Sequence, residues 1–262
     1  MAMKSCASAA DLFSLSTLTS APDYGARILT GLTHLGDAPD PATAVKSFHQ
    51  ILQLLGADAG VFLSFIRDDA TRCSYRWLLA CDALWAVEYT RRAWHDHDPW
   101  LRHALHGTEP IRGTELNVLP DEEEFAATSA TLGFASAVIV PAPTNAGASR
   151  VGMLCLGSHN LGFFEDDGAF AVVRVLARAL AMELHRWHLN FMRSELLAST
   201  RISAAELDLL RYEEAGHTSK HIGAALNIEA KTVDCRFQKL CAKLSAPDRR
   251  TAARLARLYG LI

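Results

Sequence analysis

A short segment near the C-terminus carries polar side chains at a spacing that could contact the edges of nucleic-acid bases. Residues 229–244 have apolar side chains at i, i+4, i+7 and i+11, which predicts a helix with one narrow apolar face. At the helical period the opposite face carries Lys231, Asp234, Cys235, Gln238 and Lys239. These groups could donate to and accept from bases in a DNA groove, although a solvated amphipathic helix would show the same pattern.

The elements before this helix would place it in a helix-turn-helix. Thr218 can cap a short preceding helix, and Asn227-Ile228 can form the turn between the two. Further upstream, Ser203 and Glu206 have the spacing of a capping box. Gly216 can adopt the positive φ that ends the helix begun there. The sequence therefore predicts a helical C-terminal domain in which the polar face of the helix at 229–244 is available for DNA.

Residues 202–262 resemble the DNA-binding domain of LuxR-type bacterial transcription regulators. The matching positions are Ser203, Glu206, Gly216, Thr218, Thr232, Val233, Lys243, Leu244, Gly260, Leu261 and Ile262. The resemblance implies a four-helix domain that reads DNA through Asp234 and Gln238, beside Thr232. The chain departs from the family at Ala205, Glu229 and Arg236, where Arg, Ser and His are usual. A Glu side chain cannot fold back onto the free N–H groups of a helix as compactly as Ser can. We therefore expect a weaker start to the recognition helix.

A second candidate cluster lies within residues 81–107. Trp85 and Tyr89 are one helical turn apart and share a face, and Asp98-Pro99 is a typical start for the next helix. Taken singly, the aromatic residues could be ordinary core and Asp98 could serve only as a helix cap.

This stretch also resembles LuxR-type regulators, in which the matching Trp, Tyr and Asp line an acyl-homoserine-lactone pocket. The resemblance implies that the indole N–H binds the lactone carbonyl and the carboxylate binds the ligand amide. Cys81, Gly113, Ala137 and Cys155 replace the usual Tyr, Trp, Gly and Ser or Thr. Trp100, often a smaller residue in the family, could refill part of the space. The predicted ligand site comprises Cys81, Trp85, Tyr89, Asp98, Trp100, Ala137 and Cys155. We expect an atypical acyl ligand, or regulation without one.

The periodicity of the chain predicts an α+β protein. Helices are predicted at 40–56, 82–94, 98–106, about 121–132 and about 164–192, and strands at 60–67, 73–79, 136–142 and 151–157. Turns are expected at 68–71 and 145–147, and 108–120 as a loop. This order predicts an N-terminal α/β/α sandwich with a central antiparallel sheet over residues 1–190, a linker at 191–200, and the four-helix domain at 201–262.

Charge and cysteine usage agree with a DNA-binding regulator. Residues 200–262 carry eleven Lys and Arg against seven Asp and Glu, a net charge of +4. The whole chain has a net charge of −3, so residues 1–199 carry −7. Six cysteines show no CxxC pair, and no signal or membrane-spanning segment is visible, which predicts a soluble cytoplasmic protein.

Other chemistries are less well supported by the sequence. No phosphate-binding loop, nucleophile elbow or paired-carboxylate motif predicts an enzyme or a bound cofactor. His95, His97, His103 and His106 leave a metal sensor open, and Cys81 with Cys155 a redox sensor, but we predict no metal site. The leading hypothesis is a dimeric quorum-sensing regulator that binds an acyl-homoserine-lactone-like signal and a palindromic operator. The alternative is a ligand-independent or inhibitory member of the same family.

Overall fold

The computed structural model describes residues 14–67, 73–144 and 149–262. These form two compact units, one made of residues up to 65 with 74–187, the other mainly of residues 188–262. The helices are α1 Leu15–Thr19, α2 Tyr24–Gly36, α3 Pro41–Leu55, α4 Leu84–Arg91, α5 Pro99–His106, α6 Glu123–Ser129, α7 Asp167–Thr200, α8 Ala204–Glu214, α9 Ser219–Leu226, α10 Ala230–Lys243 and α11 Arg249–Leu258. The strands are β1 Ala59–Arg67, β2 Cys73–Ala80, β3 Ile111–Arg112, β4 Ser136–Pro143 and β5 Arg150–Ser158.

The first unit is built on a five-stranded antiparallel sheet in the order β2-β1-β5-β4-β3. β4 pairs with β5 along its whole length, with Ala137 opposite Gly157 and Ile139 opposite Cys155. The short edge strand β3 pairs Ile111 with Ile139, although its region was predicted as a loop. A strand of two residues is too short to show the alternation of buried and exposed side chains from which a strand is predicted. β3 is therefore recognised only by its pairing with β4. The predicted turns at 68–71 and 145–147 lie outside the described residues.

Helices cover both faces of the sheet, which confirms the predicted sandwich. On one face, a methyl group built on Gly60 would meet Phe48 and Leu52 of α3. His185 of α7 lies on the same face, against Gly152. On the other face α4, α5 and α6 pack their aromatic and aliphatic side chains on β1, β4 and β5. This second layer contains the candidate ligand site.

Local capping explains where several predicted helices begin and end. The Asp40 carboxylate accepts a hydrogen bond from the Thr43 N–H at 2.9 Å, Pro41 occupies the first turn, and Gly56 ends α3 at φ 77°. α5 begins in the same manner at Asp98 and Pro99. The sequence located these ends because each depends on neighbouring residues alone.

The helices α2 and α7 differ clearly from the prediction. α2 was not predicted, although its buried residues Tyr24, Ile28, Leu32 and Leu35 recur at helical spacing. α7 continues to Thr200, so residues 191–200, predicted as a linker after a helix ending near Met192, are helical. This segment contains no Gly or Pro, and Leu196 and Leu197 pack against the hydrophobic core of the second unit.

The second unit contains the four helices α8 to α11 around a common apolar core, as predicted. Ser203 and Glu206 form the expected capping box, and Gly216 has φ 79°. A methyl group on Gly223 would lie 2.6 Å from the carbonyl oxygen of Ile228, so α9 can approach the turn closely only with glycine there. Glu229 makes no side-chain cap to α10, and the weaker start expected from this residue stays a prediction.

Candidate ligand site and nucleic-acid interface

A cluster of aromatic rings fills the layer between the sheet and α4, α5 and α6. Its members, called the aromatic cluster below, are Tyr75, Trp77, Trp85, Tyr89, Trp94, Trp100, Phe125 and Phe134. Cys155, Ile139 and Ala137 of the central strands face it from the sheet. Among the predicted site residues, Trp85 and Tyr89 are completely buried, and Asp98, Trp100, Ala137 and Cys155 are buried as well. The structure therefore brings these residues, distant in sequence, into one apolar layer.

Trp85 lies at the centre of this cluster. Its ring stacks on Tyr89 with centroids 4.8 Å apart, and it is nearly parallel to Trp100 at 6.4 Å. The indole Nε1–H donates a hydrogen bond to the Oγ of Ser129 at 3.1 Å. A buried indole usually finds such a partner, because an unpaired N–H in an apolar site is costly. Here the partner is a side chain of α6.

Asp98 accepts hydrogen bonds through both of its carboxylate oxygens. One carboxylate oxygen, Oδ1, accepts hydrogen bonds from the N–H groups of Trp100 at 2.8 Å and Leu101 at 3.1 Å, which caps α5. The other, Oδ2, accepts a hydrogen bond from the Tyr89 hydroxyl at 2.9 Å. Thus the capping role considered from the sequence is real, and the same carboxylate also faces the aromatic cluster.

Burial dominates the electrostatics of this pair. Removal from water raises the pKa of Asp98 to about 7, although hydrogen bonds from Leu101, Tyr89 and Trp100 act in the opposite direction. Burial, together with the neighbouring Asp98, raises the pKa of Tyr89 well above its ordinary value. Tyr89 therefore remains a hydrogen-bond donor, and Asp98 can change its charge near neutral pH.

The two cysteines of the predicted site are free thiols. Cys155 is completely buried, and burial raises its pKa well above the usual range. Cys81 is partly buried beside the cluster, and burial raises its pKa to about 12. Both stay protonated at neutral pH, whereas a redox-sensing cysteine needs thiolate character. Within the site they act as apolar groups with weak donors.

Two family departures lie next to each other in space. A methyl group built on Gly113 would sit 3.4 Å from the Cβ of Ala137, so a large ring at position 113 would lie over this part of β4. Trp100 packs its ring in the cluster against Phe125, with centroids 4.8 Å apart, and against Phe134 at 5.2 Å. The ring at position 100 therefore contributes aromatic volume to the layer.

Two of the histidines near this site have individual partners. His97 Nδ1 lies 3.0 Å from an Asp121 carboxylate oxygen, and His103 Nε2 lies 2.8 Å from the Glu109 carbonyl oxygen. Across residues 14–67, 73–144 and 149–262, no group of three or more His, Cys, Asp or Glu side chains is arranged to hold a metal ion. The metal hypothesis thus receives no geometric support from these residues.

Sequence reasoning missed several members of the site. Ser129 comes from α6 and reaches Trp85 across 44 positions of the sequence, for which no local pattern exists. Tyr75 and Trp77 alternate along β2 and therefore share a face, a pattern that could have placed them beside the predicted ligand site. Phe125 and Phe134 flank the end of α6 and complete the aromatic cluster.

In the second unit, α10 has the two faces predicted for a recognition helix. Val233, Phe237 and Leu240 are buried in the core of the four helices. The predicted DNA-binding residues are exposed, and they are Lys231, Thr232, Asp234, Cys235, Gln238 and Lys239. The exposed face is therefore continuous and polar.

Asp234 differs from its neighbours because it is held by other helices. Its carboxylate accepts a hydrogen bond from the Ser219 hydroxyl at 2.5 Å and lies 3.7 Å from the Arg249 guanidinium. Arg249 also donates to Ser219, pairs with Glu213 and lies over the Phe237 ring at 4.6 Å. One arginine thus connects α8, α9, α10 and α11 around the base of the exposed face.

Comparison with known proteins finds a family match in each of the two units. Residues 40–187 match the family model of the autoinducer binding domain, and residues 200–256 match that of bacterial regulatory proteins of the luxR family. The first match alone spans more than half of the chain. The protein therefore belongs to the LuxR-type transcription regulators that carry an autoinducer-binding domain, a class of regulators and not of enzymes.

Solved structures share this architecture at low sequence identity. Escherichia coli SdiA is 18% identical over 92% of this chain and 99% of its own, with a TM-score of 0.66. SdiA in complex with octanoyl-rac-glycerol gives 16% identity over 92% and 98%, with a TM-score of 0.70. CepR2 of Burkholderia cenocepacia, an N-acylhomoserine-lactone-dependent LuxR family factor, gives 16% over 63% and 95%, with a TM-score of 0.54. Such identities support the fold alone.

No curated protein sequence is significantly similar to the chain. Among the helices that the structure describes, none combines the length and the apolar character needed to cross a bilayer.

Proposed function

We propose that this protein is a quorum-sensing transcription regulator of the cytoplasm. It binds an acyl-homoserine lactone or a related acyl signal and binds palindromic promoter DNA as a dimer. The observation that carries this proposal is the convergence of Trp85, Tyr89 and Asp98 in one buried aromatic layer. We assign residues 1–190 to signal binding and residues 201–262 to DNA binding, with the end of α7 as the connection.

The polar groups of the layer suit an acyl amide. A ligand carbonyl could accept the Trp85 indole N–H, and a ligand amide N–H could donate to the Asp98 carboxylate. Phe125, Phe134 and Cys155 offer an apolar surface for an acyl chain. Because Cys155 and Cys81 supply only weak donors, hydrogen bonds to a substituted acyl chain contribute less here than a hydroxyl would allow. This favours a ligand that relies on its head group and chain length.

The DNA-binding proposal rests on charge and on the exposed face of α10. The net +4 of residues 200–262 favours phosphate contacts, and Gln238 can bind adenine through two hydrogen bonds. Lys231 and Lys239 lie on the same exposed face and can pair with phosphates. In a symmetric dimer, two copies of α10 would enter major grooves about one helical turn apart.

A stripe on α7 supports a dimer of this chain. The stripe follows a 3-4-3 spacing on one face of the helix and consists of Val172, Val175, Ala179 and Met182. Val172, Val175 and Met182 are 42%, 58% and 46% exposed, respectively. Such spacing is that of a coiled-coil seam, which buries its apolar residues against a second helix of the same kind. We propose that α7 of a second copy covers this stripe.

Thermal unfolding with defined ligands tests the signal-binding proposal. The probes are octanoyl-homoserine lactone and octanoyl-rac-glycerol, the second chosen because it is the ligand in the SdiA complex; octanoate serves as the control without a neutral head group. A ligand present at about 100 times its Kd should raise the midpoint by roughly 5–10 °C. If neither neutral acyl compound shifts the midpoint, the proposed ligand class is wrong.

Ligand-independent regulation is the second candidate, and the structure offers one observation in its favour. The Trp85 N–H and both Asp98 carboxylate oxygens already have partners within the protein. A regulator of this kind would bind its operator with equal affinity whether or not an acyl ligand is added. DNA binding measured with and without the two probes separates the candidates.

A further inference from the structure

Ser129 lies in the proposed ligand site, although no sequence motif predicted it there. It is the last residue of α6, its side chain is completely buried, and its Oγ accepts the hydrogen bond of the Trp85 indole at 3.1 Å. Trp85 is also completely buried, so water cannot replace this acceptor. Within the protein, Ser129 therefore satisfies the indole N–H that a ligand carbonyl would need.

We infer that Ser129 is a specificity-determining residue that competes with carbonyl-bearing acyl ligands for the Trp85 N–H. This inference rests on the proposed function, since it concerns the same site. When a ligand carbonyl takes the N–H, the hydrogen bond to Ser129 is lost, so the exchange contributes little net affinity. Ser129 thereby stabilises the domain without ligand and weakens its response to ligands that offer only an acceptor.

The contacts around Ser129 explain why the competition is direct. The Trp85 ring is fixed by stacking on Tyr89 and by edge contact with Phe125, whose centroid lies 6.3 Å away. An indole held in this way cannot turn its N–H toward a second acceptor elsewhere in the layer. A ligand must therefore approach the same N–H from beside α6 and displace the serine hydroxyl.

Ser129→Ala provides the test, with Thr131→Ala as its matched control. Thr131 carries an exposed hydroxyl that donates to the Thr128 carbonyl oxygen, a bond within the same short segment. Both changes remove one hydroxyl, but only the first should release the Trp85 N–H. The five indole N–H signals of the protein can be followed by NMR, and Trp85→Phe identifies the relevant one.

In the ligand-free protein, we expect Ser129→Ala to speed hydrogen exchange at the Trp85 indole at least tenfold, with no change in Thr131→Ala. Octanoyl-homoserine lactone should then bind Ser129→Ala about tenfold more tightly than the original protein, because its carbonyl satisfies an otherwise unpaired N–H. Unchanged indole exchange, or equal or weaker lactone binding by Ser129→Ala, would overturn the inference.

An error in the proposed function would give a different result from an error in the Ser129 inference. If the lactone binds neither the original protein nor Ser129→Ala nor Thr131→Ala, the proposed ligand class is wrong. Competition between Ser129 and that ligand is then excluded as well. The exchange measurement without ligand still decides whether Ser129 holds the indole. If Ser129→Ala does not fold, Ser129→Thr keeps the acceptor, and it should retain slow indole exchange and weak lactone binding; fast exchange in that variant would contradict the inference.

Discussion

The Tyr89 hydroxyl donates to the Asp98 carboxylate at 2.9 Å, and both groups are buried in the aromatic cluster. This bond joins α4 to the start of α5, the two helices that supply the polar groups of the proposed ligand site. It also places an ionisable carboxyl with a pKa of about 7 where the signal would bind. The stability of the domain should therefore depend on pH in part through this residue.

The first prediction concerns that pH dependence. Because the pKa of Asp98 is about 7 in the folded protein and near 4 when unfolded, the folded state binds the extra proton between these values. Its contribution to stability is fully present below pH 4 and is lost as the pH rises to 7, a change on the order of a few kcal/mol. Chemical unfolding across this range measures it.

Asp98→Asn isolates the contribution. Asparagine can still accept the hydrogen bonds that cap α5, but it does not titrate. The stability difference between the two proteins should change steadily from pH 4 to pH 7 and then become constant. The comparison is needed because burial lowers the pKa of His185 to about 4, which gives the opposite trend in the same range. Parallel pH profiles for the two proteins would show that Asp98 has an ordinary pKa.

The second prediction concerns Asp234 on the recognition helix. Its negative charge opposes phosphate binding, and Ser219 and Arg249 hold it in place. Asp234→Asn should raise affinity for all DNA sequences, by roughly three- to tenfold at low salt. Titration of a duplex at several salt concentrations measures this effect. A loss of affinity confined to one preferred sequence would instead identify Asp234 as a base-reading residue.

The third prediction separates sequence reading from phosphate contact. Gln238→Ala should relax the preference for the selected operator, because a bidentate contact to a base is worth about 1–3 kcal/mol of discrimination. Lys231→Ala and Lys239→Ala should weaken binding to every sequence and lower its salt dependence. Competition between operator and unrelated DNA distinguishes these effects. If none of the three changes alters DNA binding, α10 is not the reading helix.

The fourth prediction tests the α7 stripe. Val175→Glu and Met182→Glu each place a charge in the proposed seam, so we expect at least a tenfold weaker dimer by analytical ultracentrifugation. Gln50→Glu adds the same charge at an exposed position of α3 and should leave the association unchanged. Dimers of equal strength in all four proteins would place the interface elsewhere.

The elements that the sequence predicted correctly are those determined by neighbouring residues. Ser203 with Glu206, Asp40 with Gly56, and Asp98 with Pro99 mark helix ends through contacts within a few positions. The outward face of α10 followed from helical periodicity in the same way. These features need no knowledge of the rest of the fold.

The features that were missed depend on distant pairing. β3 exists because Ile111 lies beside Ile139, and the Trp85 indole finds Ser129 only after the sheet and α6 have packed. The network of Arg249 likewise draws partners from three other helices. The predicted ligand residues came from resemblance to a family, whereas their internal hydrogen-bond partners required the three-dimensional structure.

Mapping the binding position of a photoreactive ligand tests the central claim most directly. An octanoyl-homoserine lactone with a diazirine in its chain would be cross-linked to the protein, and the modified residues would be located by mass spectrometry. We predict adducts on the aromatic cluster or on Cys155 that disappear with excess unmodified lactone. Competed adducts only outside this layer, or none at all, would contradict the assignment of the aromatic cluster as the signal-binding site.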